Sequence, residues 1–245
     1  MQNVAWVTGV GLLAGVIGTG FGAVVTAAIG KPSRRMLSFM MGMAGGVMLS
    51  VVFMDLVPEA IEIGGAFTAL TGFVAGVVAI GAADLLTPHL HLPSGDCENA
   101  RFVRTGILTA IGIALHNLPE GVAIGASYAH GSSLGFSVAF TIALHNIPEG
   151  MAMAAPMCAA RLSSNRIAAI GALAGLPMGI GAALGAALGT VSPAILSLCM
   201  GSAGGAMVFI TADELIPEAQ RFAIGHSGTF GIVIGVLAGM LLVLA

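Results

Sequence analysis

The chain has 245 residues, 57% of them hydrophobic and 8% charged, with a formal net charge of −3. A soluble domain carries about 25% charged residues, so this chain has too little polar surface to cover a water-soluble globule and is expected to face lipid. It has no basic patch, and no nucleic-acid partner is expected.

A membrane-crossing helix needs about 20 mostly apolar residues. Eight stretches qualify, at about 4–29, 36–58, 65–87, 103–128, 134–158, 166–190, 194–218 and 227–245. Turn formers separate them: Lys31-Pro32-Ser33, Gly64-Gly65, His130-Gly131-Ser132, Ser163-Ser164-Asn165 and Val191-Ser192-Pro193. The first stretch is long enough to span, so it reads as a span and not as a cleavable signal. No alternating pattern suggests a membrane barrel. The expected fold is all-α: one polytopic membrane domain over residues 1–245, with eight transmembrane helices. Three scattered cysteines (Cys97, Cys158, Cys199) suggest no disulfide framework.

Basic residues collect in cytoplasmic loops. Lys31, Arg34 and Arg35 lie between spans one and two, Arg101 and Arg104 between three and four, Arg161 and Arg166 between five and six, and Arg221 between seven and eight. All eight fall in alternate loops, which puts both termini on the extracytoplasmic side.

Two repeats are visible. Ala143–Gly150 restates Ala114–Gly121, and Gly201–Ala219 restates Gly42–Ala60. The copies lie on spans that run in opposite directions. Such inverted repeats recur in secondary transporters, whose sites sit near the midplane.

His116 and Glu120 are four residues apart, as are His145 and Glu149; each pair projects from one helix face. His116 lies thirteen residues into its span, about 20 Å deep at ~1.5 Å per residue. His145 reaches a similar depth from the other side. Two imidazoles and two carboxylates converging there suit Zn²⁺ or Fe²⁺. Pro119 and Pro148 remove backbone donors beside the histidines, and Asn117 and Asn146 offer further oxygens. A polar network that only joins two helices is the simpler alternative, and a proton pathway is another. Carboxylates at membrane depth are costly and functional by default, which favours metal.

The remaining acids sort to the two mouths. Asp55 and Glu59 lie at the outer end of span two, and Asp213, Glu214 and Glu218 at the inner end of span seven. They are read as entrance and exit groups for a cation. The loop 88–104 carries His89, His91, Asp96, Cys97 and Glu98 and reads as a solvated cytoplasmic loop.

His-Asn-Leu-Pro-Glu-Gly at 116–121 and His-Asn-Ile-Pro-Glu-Gly at 145–150 resemble the two signature helices of the ZIP (Zrt/Irt-like) divalent-metal transporters, closest to their bacterial GufA-like branch. The resemblance implies that His116, Glu120, His145 and Glu149 are the principal transport ligands. It implies that Asn117 and Asn146 serve an adjacent second metal position, and that Asp213 and Glu214 stand where the family has a His-Glu pair. It also implies an elevator motion of spans one, four, five and six against two, three, seven and eight, a homodimer, and a place in the bacterial inner membrane. One departure stands out. The family carries a further Glu within Gly-Leu-x-Glu-Pro on span six, whereas this chain has Gly175-Leu176-Pro177-Met178-Gly179. Met178 takes the place of the bridging carboxylate, so a single strongly held ion is expected.

The expected function is divalent-cation transport, most simply zinc uptake toward the cytoplasm, with Fe²⁺, Mn²⁺, Cd²⁺ and Co²⁺ as further substrates and no cofactor. No GxxxxGK[ST] loop is present for ATP. A membrane metalloprotease would need His-Glu-x-x-His, and here Asn follows each His. A channel and a metal sensor share the same ligand types and stay open as alternatives.

Overall fold

The computed structural model describes residues 3–86, 98–188 and 192–244, and among these every regular element is helical. Eight rods follow in order: α1 Val4–Ile29, α2 Arg34–Gly64, α3 Ala66–Leu86, α4 Glu98–His130, α5 Ser132–Ala159, α6 Ser164–Leu188, α7 Pro193–Arg221 and α8 Ser227–Leu244. The sequence marks several of their ends. Asn3, Ser33 and Ser192 cap α1, α2 and α7 by accepting from Ala5, Met36 and Ala194 backbone N–H groups. Gly30 and Gly65, at φ 81° and 82°, end α1 and α2.

Six described helices are long and apolar enough to cross a membrane: Val4–Ile29, Arg34–Gly64, Phe102–Ala129, Ser164–Ala187, Pro193–Arg221 and Ser227–Leu244. The apolar part of α3, Ala66–Ala82, is shorter. Helix α5 is 28 residues long, but His145, Asn146, Pro148 and Glu149 lower its mean hydropathy. Large apolar side chains face outward, among them Trp6, Phe67, Phe136, Phe230 and Leu241. The chain is a polytopic membrane protein.

Two helices run past the expected span bounds: α2 continues through Pro58 to Gly64, and α4 begins at Glu98, inside the expected loop 88–104. A π-helical turn at Val52–Leu56, closed by Val57 N–H on Val52 O, precedes the proline. The same turn recurs in α7 at Thr211–Leu215, where Ile216 N–H bonds Thr211 O before Pro217. The wider turn inserts a residue just upstream of the position where proline has no N–H to give, so the rod continues. In contrast, Pro119 and Pro148 sit inside helices that run straight through as α-helix.

Glycine sets how the rods cross. A Cβ at Gly121 would strike Met178 O, and one at Gly150 would strike Thr19 O. These are backbone-to-backbone contacts between α4 and α6 and between α5 and α1. Helices α1, α4, α5 and α6 thereby form one bundle. Gly42 and Gly46 of α2 meet Gly228 and Ile232 of α8, while Gly201 and Gly205 of α7 meet Ala69 and Phe73 of α3. Corresponding residues of the two sets of contacts are 159 positions apart: 42 and 201, 46 and 205, 69 and 228, 73 and 232. The same offset relates Thr19 to Met178, and an offset of 29 relates Gly121 to Gly150. A single pseudo-two-fold thus pairs α1–α2–α3 with α6–α7–α8 and α4 with α5.

Close backbone approach leaves no room for a methyl group. Gly121→Ala and Gly150→Ala are therefore expected to destabilise the folded protein by about 1–3 kcal/mol each. Gly9→Ala, where a Cβ meets nothing within 4 Å, should not. Thermal unfolding in detergent checks this, and equal melting temperatures for all three variants would contradict the packing.

Candidate metal centre

Helices α4 and α5 are joined at Gly131 and fold back on each other. Because each motif carries His and Glu four apart, the antiparallel register sets His116 opposite Glu149 and His145 opposite Glu120. His116 Nε2 lies 2.9 Å from Glu149 Oε2, and His145 Nε2 lies 3.1 Å from Glu120 Oε1. His116 Nε2 is also 4.0 Å from Glu120 Oε1. All four side chains are buried, none more than 2% exposed. One ligand atom from each of His116, Glu120 and Glu149 lies within 4.8 Å of the others, a spacing that can hold a metal ion.

The two asparagines complete the cluster. Asn117 Nδ2 donates to Ala174 O of α6 at 2.8 Å, and Asn146 Nδ2 to Met178 Sδ at 3.9 Å. Both are fully buried. Their nitrogens are thus used, but their oxygens are not. Asn117 Oδ1, Asn146 Oδ1, Glu120 Oε2 and Glu149 Oε1 all lack a hydrogen-bond partner. Four buried acceptor oxygens without donors, beside two carboxylates, are destabilising in low dielectric. A divalent cation would relieve that arrangement, since the two carboxylates would balance its charge and the imidazoles and amide oxygens could replace its water.

Beyond the cluster, the acids divide. Asp55, on the π-helical turn of α2, is half-buried and within electrostatic reach of His145. Helix α2 continues past it to Gly64. Glu59 neighbours Asp55 and Glu62, three like charges on one rod. On the two-fold-related turn of α7, Glu214 Oε2 lies 3.4 Å from Thr109 Oγ1 of α4. Asp213 beside it is exposed, and Glu218 pairs with Arg221 at 2.7 Å. The ligand cluster therefore contains neither Asp213 nor Glu218. His89, His91, Asp96 and Cys97 lie outside the described residues.

Two residues join this picture that the motifs do not announce. Glu62 follows Glu59 by three residues, a spacing visible in the sequence once α2 is known to continue. Thr109 lies seven residues before His116, so it shares that helix face, two turns away.

Comparison with known proteins bears on this geometry. The family model described as "ZIP Zinc transporter" matches residues 89–245. A zinc transporter ZupT of Enterobacter sp. (strain 638) is 36% identical over 244 residues, covering 95% of this chain and 94% of the relative. One from Chlorobium luteolum is 36% identical over 244 residues, covering 91% of each chain. One from Akkermansia muciniphila is 33% identical over 244 residues, covering 90% of each.

The buried acceptors predict a measurable linkage. Zinc at 100 times its dissociation constant should stabilise the detergent-solubilised protein by about 2.7 kcal/mol. The variant carrying Glu120→Gln and Glu149→Gln should show no zinc-dependent rise in melting temperature. A rise of equal size in both proteins would place the ion elsewhere.

Proposed function

Because the chain belongs to the ZIP zinc transporter family, we propose that it carries zinc across the membrane on a site built from His116, Glu120, His145 and Glu149. As a family member it is a transporter of divalent metal and not an enzyme, and the cation is its substrate, not a cofactor. The observation that carries the site assignment is the set of four buried oxygens that accept no hydrogen bond. Asn117 and Asn146 each hold one of them and serve as supporting ligands.

The direction of transport is toward the cytoplasm in this reading. Asp55, Glu59 and Glu62 attract the ion on the outer side, and Asp55 hands it to the cluster near His145. Glu214 receives it on the inner side at Thr109, two turns from His116, and Asp213 and Glu218 mark the way out. Eight spans with both termini outside follow from the segregation of basic residues. A bacterial inner membrane and a homodimer complete the reading carried over from the family resemblance. The whole chain acts as one domain, with α1, α4, α5 and α6 moving as an elevator against α2, α3, α7 and α8. Separate close packing within each group supports that division. Fe²⁺, Mn²⁺, Cd²⁺ and Co²⁺ fit the same His and carboxylate donors.

Met178 stands beside Asn146 where the family's bridging carboxylate would be. A thioether adds no negative charge, so one strongly held ion is the expected load. Metal analysis of purified protein should give about one zinc per chain, and Met178→Glu should raise it toward two. Two tightly held zinc ions in the natural sequence would sink this part of the account.

Transport itself is tested in proteoliposomes. Zinc flux should saturate, and the variant with both His116→Ala and His145→Ala should lose it. Because the imidazoles bind metal only when neutral, zinc affinity should fall as pH drops from 7.5 to 5.5. Binding that stays flat over this range would argue against histidine ligands, and flux still linear at millimolar zinc would indicate a pore.

A further inference from the structure

Thr19 of α1 is fully buried, and its Oγ1 has no hydrogen-bond partner. A threonine inside a helix commonly donates to the carbonyl one turn back. Thr26 and Thr109 do so, to Gly22 O at 3.0 Å and Thr105 O at 2.8 Å. At Thr19 the equivalent acceptor, Gly15 O, instead lies against Gly175 of α6. A buried hydroxyl without a partner is destabilising, so its retention calls for a ligand.

Its position supplies one. The Thr19 carbonyl is the atom on which Gly150 packs, and a Cβ on Gly18 would lie 2.7 Å from Asn146 Cβ. Residues 18 and 19 therefore flank Glu149 on both sides along α5. The pseudo-two-fold gives a second, independent placement. Thr19 pairs with Met178, whose own carbonyl packs on Gly121 and whose sulfur accepts from Asn146. Thr19 occupies on the α1 wall of the cluster the place that Met178 occupies on the α6 wall.

We propose that Thr19 is a further binding residue of the transport site, supplying a hydroxyl oxygen to the cation from α1. This rests on the reading of His116, Glu120, His145 and Glu149 as that site. The two walls then differ in chemistry. An oxygen from Thr19 favours zinc, and the thioether of Met178 favours softer ions such as Cd²⁺. Thr19 tips the balance toward zinc.

The test is metal binding by detergent-solubilised protein, measured calorimetrically with zinc and with cadmium. Thr19→Val keeps the side-chain shape and removes the oxygen. It should weaken zinc binding about tenfold and cadmium binding less, so that the zinc-to-cadmium preference falls. Thr19→Ser restores an oxygen and should bind zinc as the natural protein does. Without metal, Thr19→Val should melt no lower than the natural protein, because it removes an unpartnered hydroxyl. Unchanged zinc affinity in Thr19→Val would overturn the proposal. So would equal weakening by Thr19→Ser, or a loss of metal-free stability that accounts for the weaker binding. Glu120→Gln with Glu149→Gln, measured alongside, separates the two levels. If that variant still binds zinc, the site assignment itself fails. If it loses zinc while Thr19→Val keeps it, only the role of Thr19 fails.

Discussion

Two carboxylates, Glu120 and Glu149, are buried together between two membrane helices, and the rest of the structure answers to that arrangement. In low dielectric their charge and unfilled lone pairs are destabilising. The protein offers each only one histidine, at 3.1 and 2.9 Å. The asparagines next to the histidines add acceptors and not donors, since their nitrogens are tied to α6. A site built for a proton or for helix adhesion would be expected to supply donors to these oxygens. One that leaves them open is suited to a cation, and the family to which the chain belongs transports zinc.

The pseudo-two-fold explains how so small a chain positions the site. Pairing α4 with α5 places one His and one Glu on each side, and the α1–α6 pair seats α4 against α6 at Gly121 and α5 against α1 at Gly150. The symmetry is backbone-deep but not complete in its side chains. Thr19 faces the role of Met178, Thr109 corresponds to Val138, and Met54 corresponds to Asp213. The two-fold is therefore one of backbone packing and not of side-chain chemistry. Each of the two related π-helical turns carries an acid, Asp55 on α2 and Glu214 on α7, and such turns are frequent at functional positions.

Much of this was legible in the sequence. The His-Asn-x-Pro-Glu-Gly copies stand out because polar residues are rare in apolar stretches, and their spacing dictates a shared helix face. The helices fall where long apolar runs end at Ser, Gly or Pro. The repeat of α2 in α7 was readable only over Gly42–Ala60, because beyond it similarity shrinks to glycines at matching crossings, such as Gly72 and Gly231. The apolar run of span two ends near 58, and the continuation of α2 to Gly64, past the π-helical turn that accommodates Pro58, has no apolar signature. Glu62 lies on that continuation, outside the apolar run. Thr19 and Thr109 look like ordinary membrane threonines. Only the missing backbone bond at one, and the contact with Glu214 at the other, set them apart.

The central claim is that one cation is held jointly by the two motif helices. Zinc K-edge absorption of the purified, zinc-loaded protein tests it most directly. The account predicts a first shell of nitrogen and oxygen at about 2.0–2.2 Å, with outer-shell scattering from two imidazoles. That scattering should fall by half in His116→Ala, by half in His145→Ala, and vanish when both are replaced. A spectrum without imidazole scattering, or one unchanged by either substitution, would contradict it.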